Sequence, residues 1–369
     1  MSDDRIATMT RRGCVGGLLA LGALPVRAAV AAPAPAPALW VGTYVAEGGA
    51  GVVPLRKVGD AWGSGAAVAA IRNASFAVGG ARGLRYVLDE QQKGGLGVYD
   101  RGFRRVAVSS TLGADPCHAA LSPDGGMLAA ANYSSGSVAL WTLDRATGLP
   151  KGPVLALQHK GSGPNKERQA GPHAHWVGFT RDGRTLHSVD LGADAIFAHR
   201  IGPQGVTGTD IAYRAVPGSG PRHLARHPRL PVAYLVAELA NSVTVLRALP
   251  DGRFVARKVV PTVPAGYRGE TYAGHIAMNA AGTRLYVSNR GHDSIATFAI
   301  DGRGDVRLIG HVACGGHWPR YFRLLEASGE LLVANQRSGD VARLPVGRDG
   351  VPLRPTQVVR IPSAVFIGV

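Results

Sequence analysis

The side chains with most chemical capacity in this sequence recur at two kinds of place. One set stands near the start of short apolar segments: His118, His175, Arg222 with His223, His275 and Arg320. The other stands where the following apolar segment ends: Asp89 with Glu90, Asn132, Asp190, Glu238, Asn289 with Arg290, and Asn335. Histidine exchanges protons near neutrality. Arginine keeps its charge and grips anions, carboxylates and phosphates above all. A carboxylate set between arginines is driven to its ionised form and becomes a weak base. Proton transfer beside an anion cradle is therefore the chemistry on offer, provided the chain brings these residues together.

Both kinds of place belong to one repeated unit. Six segments run through a short apolar strand, a tight turn, a second apolar strand, a polar residue and a third strand. The clearest is DPCHAALSPDGGMLAAANYSSGSVALWTLD from Asp115; others begin at Pro172, Gly220, Ala273 and Trp318, with a weaker copy from Ala74. They recur roughly every 45 to 55 residues, the spacing of propeller blades. Pro123-Asp124-Gly125, Asp182-Gly183 and Ala281-Gly282 fall at equivalent turns, where glycine supplies a positive φ at no steric cost. The flanking runs are short and rich in Val, Leu and Tyr, which predicts strands rather than helices.

The ends complete the count. LWVGTY, from Leu39 to Tyr44, matches the second strand of the unit and lacks a first; Pro362 to Val369 matches a first strand. One blade shared by both ends closes the ring and leaves no open sheet edge. The predicted fold is all-β: a seven-bladed β-propeller of four-stranded antiparallel blades over residues 39–369. In an antiparallel hairpin the start of the first strand and the end of the second lie at one edge. If every first strand lines the channel, the residues above form a ring at one mouth, with only turns at the other. The same positions also suit a structural use, capping blade ends and tying neighbouring sheets.

Composition narrows the partners. The 51 glycines and 24 prolines suit many tight turns, and the formal net charge of +16 favours anionic ligands. No Lys/Arg run carries interleaved aromatics, so nucleic acid is not expected. Residues 1–31 have export-signal architecture: Arg11-Arg12, a mildly apolar stretch from Cys14 to Val26 too short to span a bilayer, then small residues to Ala31. They resemble a twin-arginine signal, which predicts a periplasmic protein with no membrane insertion once the signal is removed. Residues 32–38 alternate Ala and Pro, a stiff linker. Beyond the signal only Cys117 and Cys314 remain, with no zinc-type spacing, so neither metal nor cofactor is expected.

The ordered motifs resemble the lactonase family of seven-bladed propellers, which includes 6-phosphogluconolactonases and carboxy-muconate cyclases. The likeness runs from Leu39 to Val369 through GTY at Gly42, DPCHAALSPDG with ANYSSGSV, GPHAHWVGFTRDG with VDLGAD, GPRHL, AELANSV, VSNRGHDSI and VANQRSGDV. The resemblance implies a metal-independent lactone hydrolase with four catalytic residues: His175, Arg222, Glu238 and Arg290. From their places at the strand ends, His118, Asn132, Asp190, His223, His275, Arg320 and Asn335 are expected to contact a small anionic or sugar lactone, in a monomeric protein. His175 is the favoured base, with the arginines on the substrate anion and on the developing oxyanion. A cycloisomerase forming the lactone, or a non-catalytic binding scaffold, is the alternative. The polar loop from Gly161 to Ala170 falls beside the expected site, as a lid or as plain connection.

Overall fold

Tight turns build the unit. Gly125, Gly183 and Gly282 sit at φ +66°, +70° and +66°, the left-handed conformation their turn positions require. In two of these turns a hydroxyl donates to the turn aspartate: Ser122 to Asp124 and Thr180 to Asp182, each at 2.7 Å. The computed structural model describes residues 39–369 apart from residues 69 and 204. The export signal and the Ala/Pro linker read from the sequence lie outside the described residues.

Seven four-stranded antiparallel sheets follow one another around a ring. Their first strands are Ala364–Gly368 (blade 1), Ala74–Gly79 (blade 2), Pro116–Leu121 (blade 3), Ala174–Phe179 (blade 4), Pro221–Arg226 (blade 5), Tyr272–Met278 (blade 6) and Pro319–Leu325 (blade 7). Each touches the first strand of the next blade all the way round, so these strands line the channel. Blade 1 is built from both ends of the propeller: Trp40 pairs with Gly368 and Val41 with Ile367, as the terminal segments predicted.

Most apolar packing lies between blades; a small cluster of Ala193, Ala195 and Phe197 with Ile211 lies within blade 4. Seven separate clusters each join two neighbours: Val236 and Val245 of blade 5 pack with Leu285 and Phe298 of blade 6, and so on round the ring. A strand in such a sheet is covered on both faces. That explains why Leu128–Ala131 and Val232–Ala237 are continuous buried runs instead of alternating ones.

One irregularity positions the chemistry. The pairing of first with second strand slips near the start of the first strand in every blade, for example between Pro116 and His118, Ala174 and Trp176, and Pro221 and His223. The extra residue of each bulge is Cys117, His175, Arg222 or Arg320 in blades 3, 4, 5 and 7, while in blade 2 Ser75 and Phe76 together stand opposite Leu88. Bulges of this kind re-aim a side chain at a strand end.

Candidate active site

Glu238 is the hub. It follows the second strand of blade 5, Val232–Ala237, and is only 2% exposed. Its Oε2 lies 3.0 Å from Arg222 Nε and 2.7 Å from Arg290, while Oε1 accepts a 2.6 Å bond from Arg168. The Arg222 contact is an ion pair by distance without the alignment of a hydrogen bond. Arg222 Nε and Arg290 Nε are both buried without an aligned acceptor. Burial alone would raise the Glu238 carboxyl, but Arg290, Arg222, His175 and Arg168 together hold it well below the usual carboxylate range. Glu238 is therefore a permanent anion that assembles cations.

His175, on the bulge of blade 4, is buried beside this group. Burial and the charge of Arg222 push its pKa well below the ordinary histidine value, against the pull of Glu238. The ring is neutral at physiological pH and able to accept a proton. Its Nδ1 stands 3.5 Å from Cys117 Sγ. Burial raises the Cys117 thiol far above its usual range, so it stays protonated and is no nucleophile. Arg222 is anchored by donating to Gly274 O at 2.9 Å; burial and the neighbouring Arg290 lower its pKa to about 9, which leaves it charged at neutrality.

Across the mouth stands a second group. Arg320, on the bulge of blade 7, lies 3.5 Å from Glu90 and over the ring of Tyr44. Tyr44 donates to Glu90 at 2.7 Å. The Arg290 guanidinium lies over Tyr272 and Trp318, and Arg168 over Tyr272.

The structure brings together His175, Arg222, Glu238 and Arg290, all four buried. His118, His223 and His275 lie one residue deeper along their strands, in a band of rings. Phe76 meets His118 at 4.2 Å between centroids, His118 meets His223 at 5.2 Å and His223 meets His275 at 5.5 Å. The band continues through Tyr321 and Phe366 back to Phe76. This layer is the floor beneath the charged groups.

Asn132, Asp190 and Asn335 are placed outside the cluster. Asn132 donates to Thr111 O at 3.1 Å and Asn335 to Cys314 O at 3.4 Å, each reaching the connection that leads in from the preceding blade. Asn289 does the same with Thr262 O at 2.8 Å. Asp190 accepts from His173 N and Ala193 N and meets His159 Nδ1 at 2.7 Å; His159 Nε2 meets Ser188 Oγ at 2.9 Å. That Asp-His-Ser chain has the distances of a catalytic triad. With Asp190 and Ser188 at 0% and His159 at 3% exposure, it is shut away from any substrate. These residues fasten blade to blade.

Several members of the site were not singled out from sequence. Arg168 comes from the loop between Gly161 and Ala170, held by the buried Gln169, which donates to Leu191 O at 2.9 Å. No periodicity marks such a residue. Tyr133, whose hydroxyl is 3.2 Å from Arg168, and Tyr44 do carry a signal. Tyr44, Glu90, Tyr133, Glu238 and Arg290 all occupy one register of the repeat, directly after Thr43, Asp89, Asn132, Ala237 and Asn289. A cleft of about 640 Å³ opens on the opposite rim, among the turns around Pro123 and Gly183, and holds none of these groups.

A profile of the family described as "Lactonase, 7-bladed beta-propeller" matches residues 38–369. The chain belongs to this family. Among its relatives, the 6-phosphogluconolactonase of Bacillus subtilis is 34% identical over 231 residues, covering 62% of this chain and 65% of that protein. The chain thus spans just under two thirds of the Bacillus lactonase. An uncharacterized protein of Lactococcus lactis is 31% identical over 74% of this chain and 81% of its own. A solved periplasmic gluconolactonase of Pseudomonas aeruginosa superimposes with a TM-score of 0.83 at 29% identity, covering 90% of this chain and 98% of that one.

Proposed function

We propose that this lactonase-family protein hydrolyses an anionic or sugar lactone at the channel mouth that holds Glu238. The observation that carries this reading is one buried carboxylate shared by Arg168, Arg222 and Arg290 beside a neutral histidine. With Arg320 and Glu90 across the mouth, four guanidinium groups face two carboxyl groups, an excess of positive charge suited to an anion.

His175 takes a proton from the attacking water; it is uncharged, within the cluster and free to become cationic beside Glu238. Water oxygen bonds to the lactone carbonyl carbon, and the negative charge that gathers on the carbonyl oxygen meets Arg222 and Arg290. Both are held beside Glu238, so their charge is fixed in place before substrate arrives. Arg168, partly open to solvent from its loop, grips an anionic group of the substrate or, on a neutral sugar lactone, its hydroxyl groups. Glu238 holds these cations in place and stabilises protonated His175. The mechanism runs through protein side chains and water.

Export is part of the proposal. Residues 1–31 read as a signal, and the Pseudomonas gluconolactonase is described as periplasmic. An exported enzyme meets aldonolactones rather than a cytoplasmic sugar phosphate. A pH-stat panel of sugar and aryl lactones, with and without phosphate, tests the reading. We expect at least one sugar lactone to open at a rate well above the spontaneous one. Arg222→Ala should lower kcat more than it raises KM, as its oxyanion role requires; a rise in KM alone would move it to the substrate anion. No acceleration on any lactone would refute the hydrolase.

A further inference from the structure

We infer that Glu90 is the acid that protonates the ring oxygen as the lactone opens, making the Tyr44–Glu90–Arg320 group the second half of the active site. The inference rests on the lactonase reading and supplies the step it leaves open. His175 removes a proton from water, but the departing ring oxygen leaves as an alkoxide and needs a proton from a different group.

Geometry singles out Glu90. It holds the repeat position in blade 2 that Glu238 holds in blade 5, directly after a second strand, so both carboxyl groups border one mouth. The two halves meet at Cys117 of blade 3, whose thiol touches His175 at 3.5 Å and feels the charges of Glu90, Arg222 and Arg320. Unlike Glu238, which is closed in, Glu90 keeps 17% of its side chain open. One oxygen is fixed by the Tyr44 hydroxyl at 2.7 Å; the other meets Arg320 at a long 3.5 Å, and with Ser75 also beside the carboxyl it is the more loosely held of the two and the one open to a substrate. Four charged or titratable groups surround it: Arg320 from blade 7, Tyr44 from blade 1, Asp115 from the connection into blade 3, and Cys117 from blade 3. Burial raises the Glu90 carboxyl above the usual range, and Arg320 and Tyr44 do not cancel that rise. Glu238 and Glu90 are thus shifted in opposite directions within one mouth, the former down and the latter up, the arrangement by which paired carboxyl groups divide acid and base duties.

The proton account closes. Water loses one proton to His175 as its oxygen bonds to the carbonyl carbon. The bond from that carbon to the ring oxygen then breaks, and the electron pair left on the ring oxygen takes the proton of Glu90. The product is a hydroxy acid, ionised at neutral pH. Protonated His175 gives its proton up to solvent water, and Glu90 regains one from the same source.

The test compares leaving groups. Glucono-1,5-lactone expels an alkoxide, whereas dihydrocoumarin expels a stable phenolate that needs no acid. Glu90→Gln, which keeps the Tyr44 bond, should cut kcat on the sugar lactone by about 100-fold or more and on the aryl lactone by less than about 3-fold. Tyr44→Phe removes a donor that favours the ionised acid, so the basic limb of the kcat/KM profile should move to higher pH. Equal losses on both lactones, or undiminished sugar-lactone turnover in Glu90→Gln, would overturn the role while leaving the lactonase reading intact. A wild-type enzyme that opens no lactone of the full panel, phosphorylated ones included, brings down that reading, and Glu90 with it.

Discussion

Glu238 and Glu90 occupy the same position of the same repeat, three blades apart, yet they live in different surroundings. Glu238 is enclosed by three guanidinium groups, two of them buried with it. Glu90 has a single guanidinium at 3.5 Å, a phenol and a partial opening to solvent. Burial acts on both in the same direction; what differs is the number of cations that oppose it. A propeller repeats its backbone and varies the company of each side chain. Position in the repeat delivers a residue to the mouth, and its neighbours decide its role there.

The sharpest way to break this comparison is to remove each carboxylate. Glu238→Ala strands Arg222 and Arg290 in the interior, and uncompensated buried charges of this kind cost about 3–5 kcal/mol. Glu90→Ala strands Arg320 and the Tyr44 hydroxyl, at a partly exposed site, and should cost about 1–2 kcal/mol. Urea titration of both variants measures the gap; equal losses would mean that Glu238 is not the hub of its cluster.

His175→Ala tests the half of the mouth that handles water. Turnover should fall by about 100- to 1,000-fold with KM little changed, because the arginines that hold substrate remain. A kcat within about 3-fold of wild type would transfer the base to another group.

Acid sharpens the contrast differently. His118, His187 and His199 are each pushed down to about 3, chiefly by burial, and His175, His223 and His275 also fall well below the ordinary value. Unfolded, these rings titrate near 6.5. Below that pH the unfolded chain binds more protons, so stability is complete above about pH 6.5 and drains away as pH drops toward 3. Glu238, held ionised, adds to the loss only below about pH 4.3, where the unfolded carboxyl takes up its proton, and so plays no part between pH 7.5 and 5.5. We expect Tm to fall by about 5–10 °C between pH 7.5 and 5.5, and replacing His118 with Gln to lessen that fall. A flat Tm over this range would mean that the rings take up protons without leaving their places.

Much of this was legible in the sequence because the repeat announces itself. The seven blades, the shared first blade and the gathering of His175, Arg222, Glu238 and Arg290 follow from turns and apolar runs that recur in order. The one-residue detail was not. Asn132 and Tyr133 are neighbours, as are Arg222 and His223, and successive strand residues point to opposite sides. The bulge at the start of each first strand shifts that alternation, so apolar pattern alone does not say which neighbour reaches the mouth. Arg168 was hidden for a different reason: it reaches Glu238 from an irregular loop whose path is set by Gln169 rather than by any period.

That neighbour-by-neighbour division supports the smallest effect, and it can be read in one adjacent pair. Asn132 ties blade 3 to the connection from blade 2 through Thr111 O and to Ser137 Oγ, each at 3.1 Å. Asn132→Ala leaves a buried carbonyl without its donor and should cost about 1–2 kcal/mol of stability with turnover unchanged. Tyr133→Phe, one residue on, removes only the hydroxyl that steadies Arg168 at 3.2 Å. It should leave the urea midpoint in place and raise KM by about 2- to 5-fold, the scale of one modest hydrogen bond. The two variants differ in which side of the strand they touch, so stability should follow the first and substrate binding the second. If Asn132→Ala altered KM while Tyr133→Phe altered the unfolding midpoint, the assignment of the two registers, one fastening blades and one facing substrate, would be inverted.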